Sequence, residues 1–303
     1  MNTQKFETVN PFAFFIFFIG SSIILLPLRV YHLLTNIESG TGFWINPNHF
    51  TIPIFYAVMA LGTLLSIVFS LLYRKGLGKV EDSDNRKMIG GVICFANTIG
   101  LIINAIVRYR YFYDLYASYD VYSNASMFNY LSKSGGIAMA LEAFFAVVSA
   151  IFFIMLGIAF LTGKDPSEYK ILAIMPVFWA IFRIMHRFMR KISFMNVSEL
   201  FLELLMIVFL LMFFMAYAQV TTKVNGKGLE WKLFAYGLPA ALFCLLCFVP
   251  RAVVAILGKS AVIASDSFIE IVDLTMACFV IYALVDRSRV FHLEMRRNDG
   301  LME

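Results

Sequence analysis

Apolar residues in this chain come in long, nearly unbroken blocks. A membrane-crossing helix needs about 20 predominantly apolar residues. Blocks at about 11–33, 50–73, 89–110, 136–161, 198–219, 233–257 and 267–285 satisfy that requirement. An eighth block, about 171–190, is less simple. Its uninterrupted apolar part, Ile171 to Phe182, has 12 residues. As a helix it reaches only about 18 Å, against a hydrocarbon core of about 30 Å. It then continues as FRIMHRFMRK, with Arg183, His186, Arg187 and Arg190. Either this helix spans and buries its cations, or it lies on the surface and the chain has seven spans.

Loop charge favours the first alternative. With eight spans and the N-terminus inside, 15 of the 25 Lys and Arg fall on the cytoplasmic side, in the 74–88 loop and the later inner connections. A seven-span arrangement reverses everything after the eighth block and leaves 14 against 11. Positive charge collects in cytoplasmic loops. The expectation is therefore an all-α, polytopic bundle of eight spans with both termini cytoplasmic, forming one membrane domain over residues 1–303. The apolar run after Lys5 ends in LLPLRVYH with no small-residue cleavage pattern, and reads as an uncleaved first span.

Composition agrees with that pattern. Hydrophobic residues make up 60% and charged residues 15%, with mean hydropathy +0.78. Soluble domains are about half apolar and roughly a quarter charged. The 32 Phe and 16 Met suit lipid contact and helix interfaces. The net charge of +5 follows the loops and is no signature of nucleic-acid binding, so lipid is the expected surrounding partner and the plasma membrane the expected location. Cys94, Cys244, Cys247 and Cys278 all lie in apolar runs, as small buried hydrophobes do. Cys244 and Cys247 form a C-x-x-C pair without a second pair or a nearby His, which is weak support for zinc or redox chemistry.

The two longest connections, about 34–49 and 111–135, hold no room for a large soluble domain. The second is rich in tyrosine. Tyr109, Tyr113 and Tyr116 would form a stripe on a helix leaving the membrane, either an interfacial belt or a shelf for a sugar or cation. Arg29-Val-Tyr-His32 and Arg183-Ile-Met-His186 share R-x-x-H at a separation of 154 residues. Arg108 and Arg251 end the next odd-numbered spans. A 4+4 duplication with parallel halves would produce this pattern, as in known transporter repeats.

Ionisable residues within a bilayer are costly and mark functional positions. Here they fall at one depth. Odd spans end outward in Arg29 and His32, Arg108, Arg183 with His186 and Arg187, and Arg251. Even spans begin there with Glu142, with Glu199 and Glu203, and with Asp266, Glu270 and Asp273. Spacings of i, i+4 and i+7 place each set on one helical face. Glu199 and Glu203 open the helix that follows Arg183 and Arg187, within reach as their partners. Snorkelling or simple ion pairing explains single helix-end cations such as Arg29, Arg110 and Arg190, as well as Asp266. The deeper residues point to an outward-facing polar layer, and the candidate binding set is Arg29, His32, Arg108, Glu142, Arg183, His186, Arg187, Glu199, Glu203, Arg251, Glu270 and Asp273. Pro27 and Pro250, close before Arg29 and Arg251, would loosen the backbone at its mouth.

Paired cations and carboxylates suit binding and transport of a small anionic or zwitterionic solute. The alternative is a sensor, or an accessory or scaffold subunit with a membrane partner, using the same pocket. An enzyme is the weaker reading. The chain lacks H-E-x-x-H, G-x-S-x-G and phosphate-cradling glycine loops. His32 and His186 with Glu199 or Asp273 would make a metal site only if several helices converged. No cofactor is called for by the sequence.

Overall fold

In a computed structural model, the described residues are 12–38, 43–72, 87–119, 126–164, 166–189, 197–222, 230–259 and 270–299. Among them the backbone is helical, with a single isolated antiparallel bridge between Ile37 and Trp44. The helices are α1 (Phe12–Thr35), α2 (Thr51–Leu72), α3 (Lys87–Ala117), the short α4 (Met127–Lys133), α5 (Gly136–Thr162), α6 (Met175–Met189), α7 (Val197–Thr221), α8 (Glu230–Ile256) and α9 (Ile271–Asp299). Backbone N–H and C=O groups find no water in hydrocarbon, so long apolar segments satisfy them internally as helices. Breaks come where the chain supplies turn chemistry. Gly163 closes α5 at φ 70° and Gly135 precedes it at φ 78°, both left-handed conformations that glycine adopts without a Cβ clash. Ser126 caps α4 by accepting from the Asn129 N–H.

Among the described residues, seven helices are long and apolar enough to cross a membrane: Phe15–Thr35, Thr51–Leu72, Met88–Ala117, Gly136–Thr162, Leu172–Met189, Ser198–Thr221 and Trp231–Ile256. The chain is an integral, multi-pass membrane protein. Its outer face agrees: Ile16, Ile23, Leu61, Leu64, Ile99, Phe144 and Phe188 are all more than half exposed. So much apolar surface is a liability in water and natural in lipid.

The doubtful eighth block does qualify. A 3-10 turn over Leu172–Ile174 leads into α6, and the 18 residues of Leu172–Met189 reach about 27 Å. Arg183, His186 and Arg187 are buried, which is the alternative the sequence left open. By contrast α9, expected as a plain span, is not among the seven. It carries Asp273 in its first turn and turns polar after Val285.

α8 packs mainly on α1, α2, α7 and α9, while α3 packs mainly on α5 and α9 and α6 on α5 and α7. The core between them is apolar and aromatic. Phe153 meets Phe279 edge-on at 5.0 Å between ring centroids, and Phe213 and Phe214 close the cluster from α7. Cys94, Cys244 and Cys247 are buried, Cys278 is exposed, and all four are free. Tyr109, Tyr113 and Tyr116 lie exposed along the last turns of α3, as an interfacial belt would.

α3 and α5 approach closely at Gly157, where an added Cβ would lie 3.2 Å from Cys94 Cβ and 3.4 Å from the Gly91 carbonyl oxygen. A Gly157→Leu substitution should therefore lower stability by about 1–3 kcal/mol. Gly20→Leu, at a site with nothing within 4 Å, should leave it unchanged. Thermal unfolding of the two purified variants in detergent checks the contrast.

Candidate functional site: a buried charged layer

The late turns of α1, α3, α6 and α8 bring guanidinium groups to the level at which α5, α7 and α9 begin with carboxylates. Arg29 and Arg183 lie about 9 Å before the ends of their helices, and Glu142 and Glu203 about 9 Å after the starts of theirs, by helical rise. Every one of the twelve side chains singled out above is buried.

Glu270, just ahead of α9, is the hub. Its Oε1 accepts from Arg108 Nη2 and, at 2.8 Å, from Arg187 Nη2. Its Oε2 accepts from Arg183 Nη2 and, at 3.4 Å, from Asn104 Nδ2. Arg183 Nη2 also lies 2.8 Å from Asp273 Oδ1. Two arms leave this centre. On one side Arg108 Nε donates to Glu142 Oε1 at 2.9 Å, and the other oxygen of Glu142 meets His186 Nδ1 at 2.8 Å. On the other side Arg187 Nε lies 3.3 Å from Glu203 Oε2, and Arg251 Nη2 donates to Glu203 Oε1 at 2.8 Å and to Glu199 Oε2 at 3.3 Å. Arg29 Nη2, 3.6 Å from Glu199 Oε1, ends the chain of contacts.

Among the described residues five guanidinium groups thus face five carboxylates, and with His186 neutral these groups sum to zero. A lone charge in a low-dielectric interior is expensive, and mutual neutralisation offsets that cost only when hydrogen bonds fill the remaining valences. They do not all fill. Among the described residues, Arg183 Nε and Nη1 and Arg29 Nη1 are buried without a hydrogen-bond partner, and Arg187 Nε has only its 3.3 Å ion contact with Glu203. On the carboxylate side the same holds only for Asp273 Oδ1, which still lies against Arg183. The layer has spare donors.

No family model, curated protein or solved structure matches this chain. What the layer does must therefore be read from its own groups.

Eleven of the twelve candidate residues join this one network. His32 does not. Its Nε2 lies 2.9 Å from Thr51 Oγ1, which also contacts His49 Nδ1 at 2.7 Å, and its ring meets Trp44 edge-on. The two R-x-x-H stretches therefore serve differently: His186 faces a carboxylate and His32 a hydroxyl. The metal set drawn from the sequence does not assemble, and among the described residues no three His, Cys, Asp or Glu side chains converge in a way that could hold an ion. Arg183 reaches Glu270 and Asp273 rather than Glu199 and Glu203 of the following helix. Arg190 and Asp266 lie outside the described residues.

Two contributors escaped sequence reasoning. Trp179 stands one turn before Arg183, with the guanidinium 5.3 Å from the ring centroid. Its Nε1 donates to Asn104 Oδ1 at 3.4 Å, and Asn104 in turn braces Glu270. Both lie four residues before an arginine within an apolar run, and that spacing was the available signal. A Glu270→Gln substitution removes the carboxylate that three guanidinium groups share, leaves the layer with one uncompensated positive charge, and should cost about 3–5 kcal/mol of stability. Glu168→Gln, on the exposed turn before α6, should stay within about 0.5 kcal/mol. Unfolding temperatures in detergent give the comparison.

Proposed function

We propose that this protein binds a small anionic or zwitterionic solute in the charged layer and carries it across the membrane. The surplus of buried guanidinium nitrogens on Arg183 and Arg29 that find no hydrogen-bond partner among the described residues supports this reading most directly. An anion brings the acceptor oxygens those donors lack. Guanidinium suits carboxylate or phosphate by its planar, forked geometry.

In this proposal α9 is the eighth span, the whole chain is one membrane domain, and both termini are cytoplasmic. The charged layer then faces outward from a plasma membrane. α6 is the shortest of the spans and carries three of the layer's cationic or imidazole groups, which makes it the natural moving element. A 4+4 relation between halves would pair α3 with α8. Those two helices pack on different numbers of neighbours, so any such relation is carried by the charged positions rather than by helix packing. If the layer senses or anchors instead, a partner membrane subunit is its expected output.

Topology is open to a direct test in a background with the four cysteines replaced. Asn48→Cys, in the exposed turn before α2, should react with an impermeant maleimide from outside intact cells. Lys79→Cys should react only after permeabilisation. The opposite pattern would overturn the outward placement of the layer.

For the solute, the purified protein is screened by thermal shift with L-glutamate, succinate, inorganic phosphate, sulfate and glycine. Any compound that stabilises it is then taken to counterflow in proteoliposomes. At least one is expected to raise the unfolding temperature and to exchange across the bilayer. Arg183→Lys, which keeps the charge and removes the free fork nitrogens, should abolish both. Binding without exchange assigns a sensor. Stabilisation by none of the five leaves only structural ion pairing and removes the proposal.

A further inference from the structure

We propose that a monoanion enters this layer together with one proton, and that His186 takes the proton. The inference rests on the solute-binding proposal above and adds the charge that must accompany the solute. The observation behind it is the balance of the network among the described residues, five guanidinium groups against five carboxylates, all buried. An added anion leaves a net negative charge where water does not screen it, and such a charge is costly unless something compensates it. Arginine is already fully charged and cannot gain a proton.

His186 is the group able to supply the charge. Its Nδ1 sits 2.8 Å from Glu142 Oε2. An ionised carboxylate only accepts hydrogen bonds, so Nδ1 carries the hydrogen and Nε2 holds the lone pair. A proton from outside water adds to that lone pair, forming an N–H bond and leaving an imidazolium. The existing bond to Glu142 then becomes charge-assisted and stronger. The charge gained equals the charge the monoanion brings.

The surroundings leave few rivals for this role. On its own helix His186 has Arg183 and Arg187, and from α3 Arg108 stands across Glu142. Glu199 and Glu203 of α7 are held by Arg29, Arg251 and Arg187. Glu270 is held by Arg108, Arg183 and Arg187. Asp273 lies against Arg183 with its Oδ1 outside any hydrogen bond among the described residues, so Asp273 is the rival acceptor that the His186→Gln variant separates. Tyr56 and Cys247, near Arg29, are neutral acids that can release a proton but offer no basic nitrogen to accept one. A zwitterion carries no net charge and needs no proton, so the proton count reports the class of solute.

The test uses the full-length protein in detergent with weak buffer and a pH indicator dye. Methanesulfonate, L-glutamate and glycine serve as probes, since their net charges hold steady between about pH 6 and pH 8. Methanesulfonate or L-glutamate should take up about one proton per molecule bound, and glycine none. Anion affinity should fall about tenfold per pH unit once the imidazole is no longer protonated in the free protein. His186→Gln should remove both the proton uptake and the pH dependence, while Glu168→Gln keeps them. An anion that binds wild-type protein with no proton taken up overturns the inference without needing any variant to fold. Uptake that survives in His186→Gln overturns the assignment to His186. Both outcomes leave solute binding standing. Failure of methanesulfonate and L-glutamate to bind overturns this inference, while the binding proposal falls only if succinate, inorganic phosphate, sulfate and glycine fail as well.

Discussion

Charge neutralisation away from water is the constraint on which this structure depends. A guanidinium carried into an apolar bundle must meet an acceptor there, and five of them do so at one level. The pairs join consecutive spans and spans far apart in the chain alike. Arg108 of α3 meets Glu142 of α5 and Glu270 at the head of α9, and Arg251 of α8 meets two carboxylates of α7. Glu270 alone ties α3 and α6 to the start of α9. The charged layer therefore acts as a clasp that sets the register of the helices it joins.

Away from that clasp the bundle relies on different forces. Lipid tails are as apolar as leucine, so helices gain little from merely hiding hydrophobic surface from one another. Close approach, as at Gly91 and Gly157, and interlocking rings around Phe279 supply dispersion contacts instead. These contacts tolerate sliding better than ion pairs do. An ion-paired register specifies one arrangement more sharply than apolar packing, at some cost in stability relative to a purely hydrophobic equivalent. The unpartnered nitrogens of Arg183 go further than register requires, since a clasp built only for stability would pair them. In the solute-binding proposal, that excess is what an anion's acceptor oxygens would fill.

α6 shows how the two sets of forces meet. Its sequence mixes apolar residues with Arg183, His186 and Arg187, and in isolation it would suit the membrane surface as well as the interior. It is drawn inside because one face finds Glu270, Asp273 and Glu142, while Phe178 and Phe182 on another face stack on Phe145. Neither set of contacts is local in the chain.

Much of this was legible in the sequence. Block length determined the helices and their membrane setting, because hydrocarbon forces the backbone to bond within each segment. The alternation of helix-end arginines with helix-start carboxylates placed the layer at one depth and named its residues. Helical periodicity gave their faces. What the sequence left open was pairing. It did not separate His32 from the network, since R-x-x-H reads the same in α1 and α6. It pointed Arg183 toward Glu199 in the next helix, when Glu270 and Asp273 receive it. It missed Asn104 and Trp179, which look like ordinary residues of apolar helices until Glu270 is brought beside them. Those outcomes turn on which helices are neighbours and how they are rotated, and no linear spacing encodes that. Only the packed bundle decides which opposite charges come within bonding distance and which donors are left over.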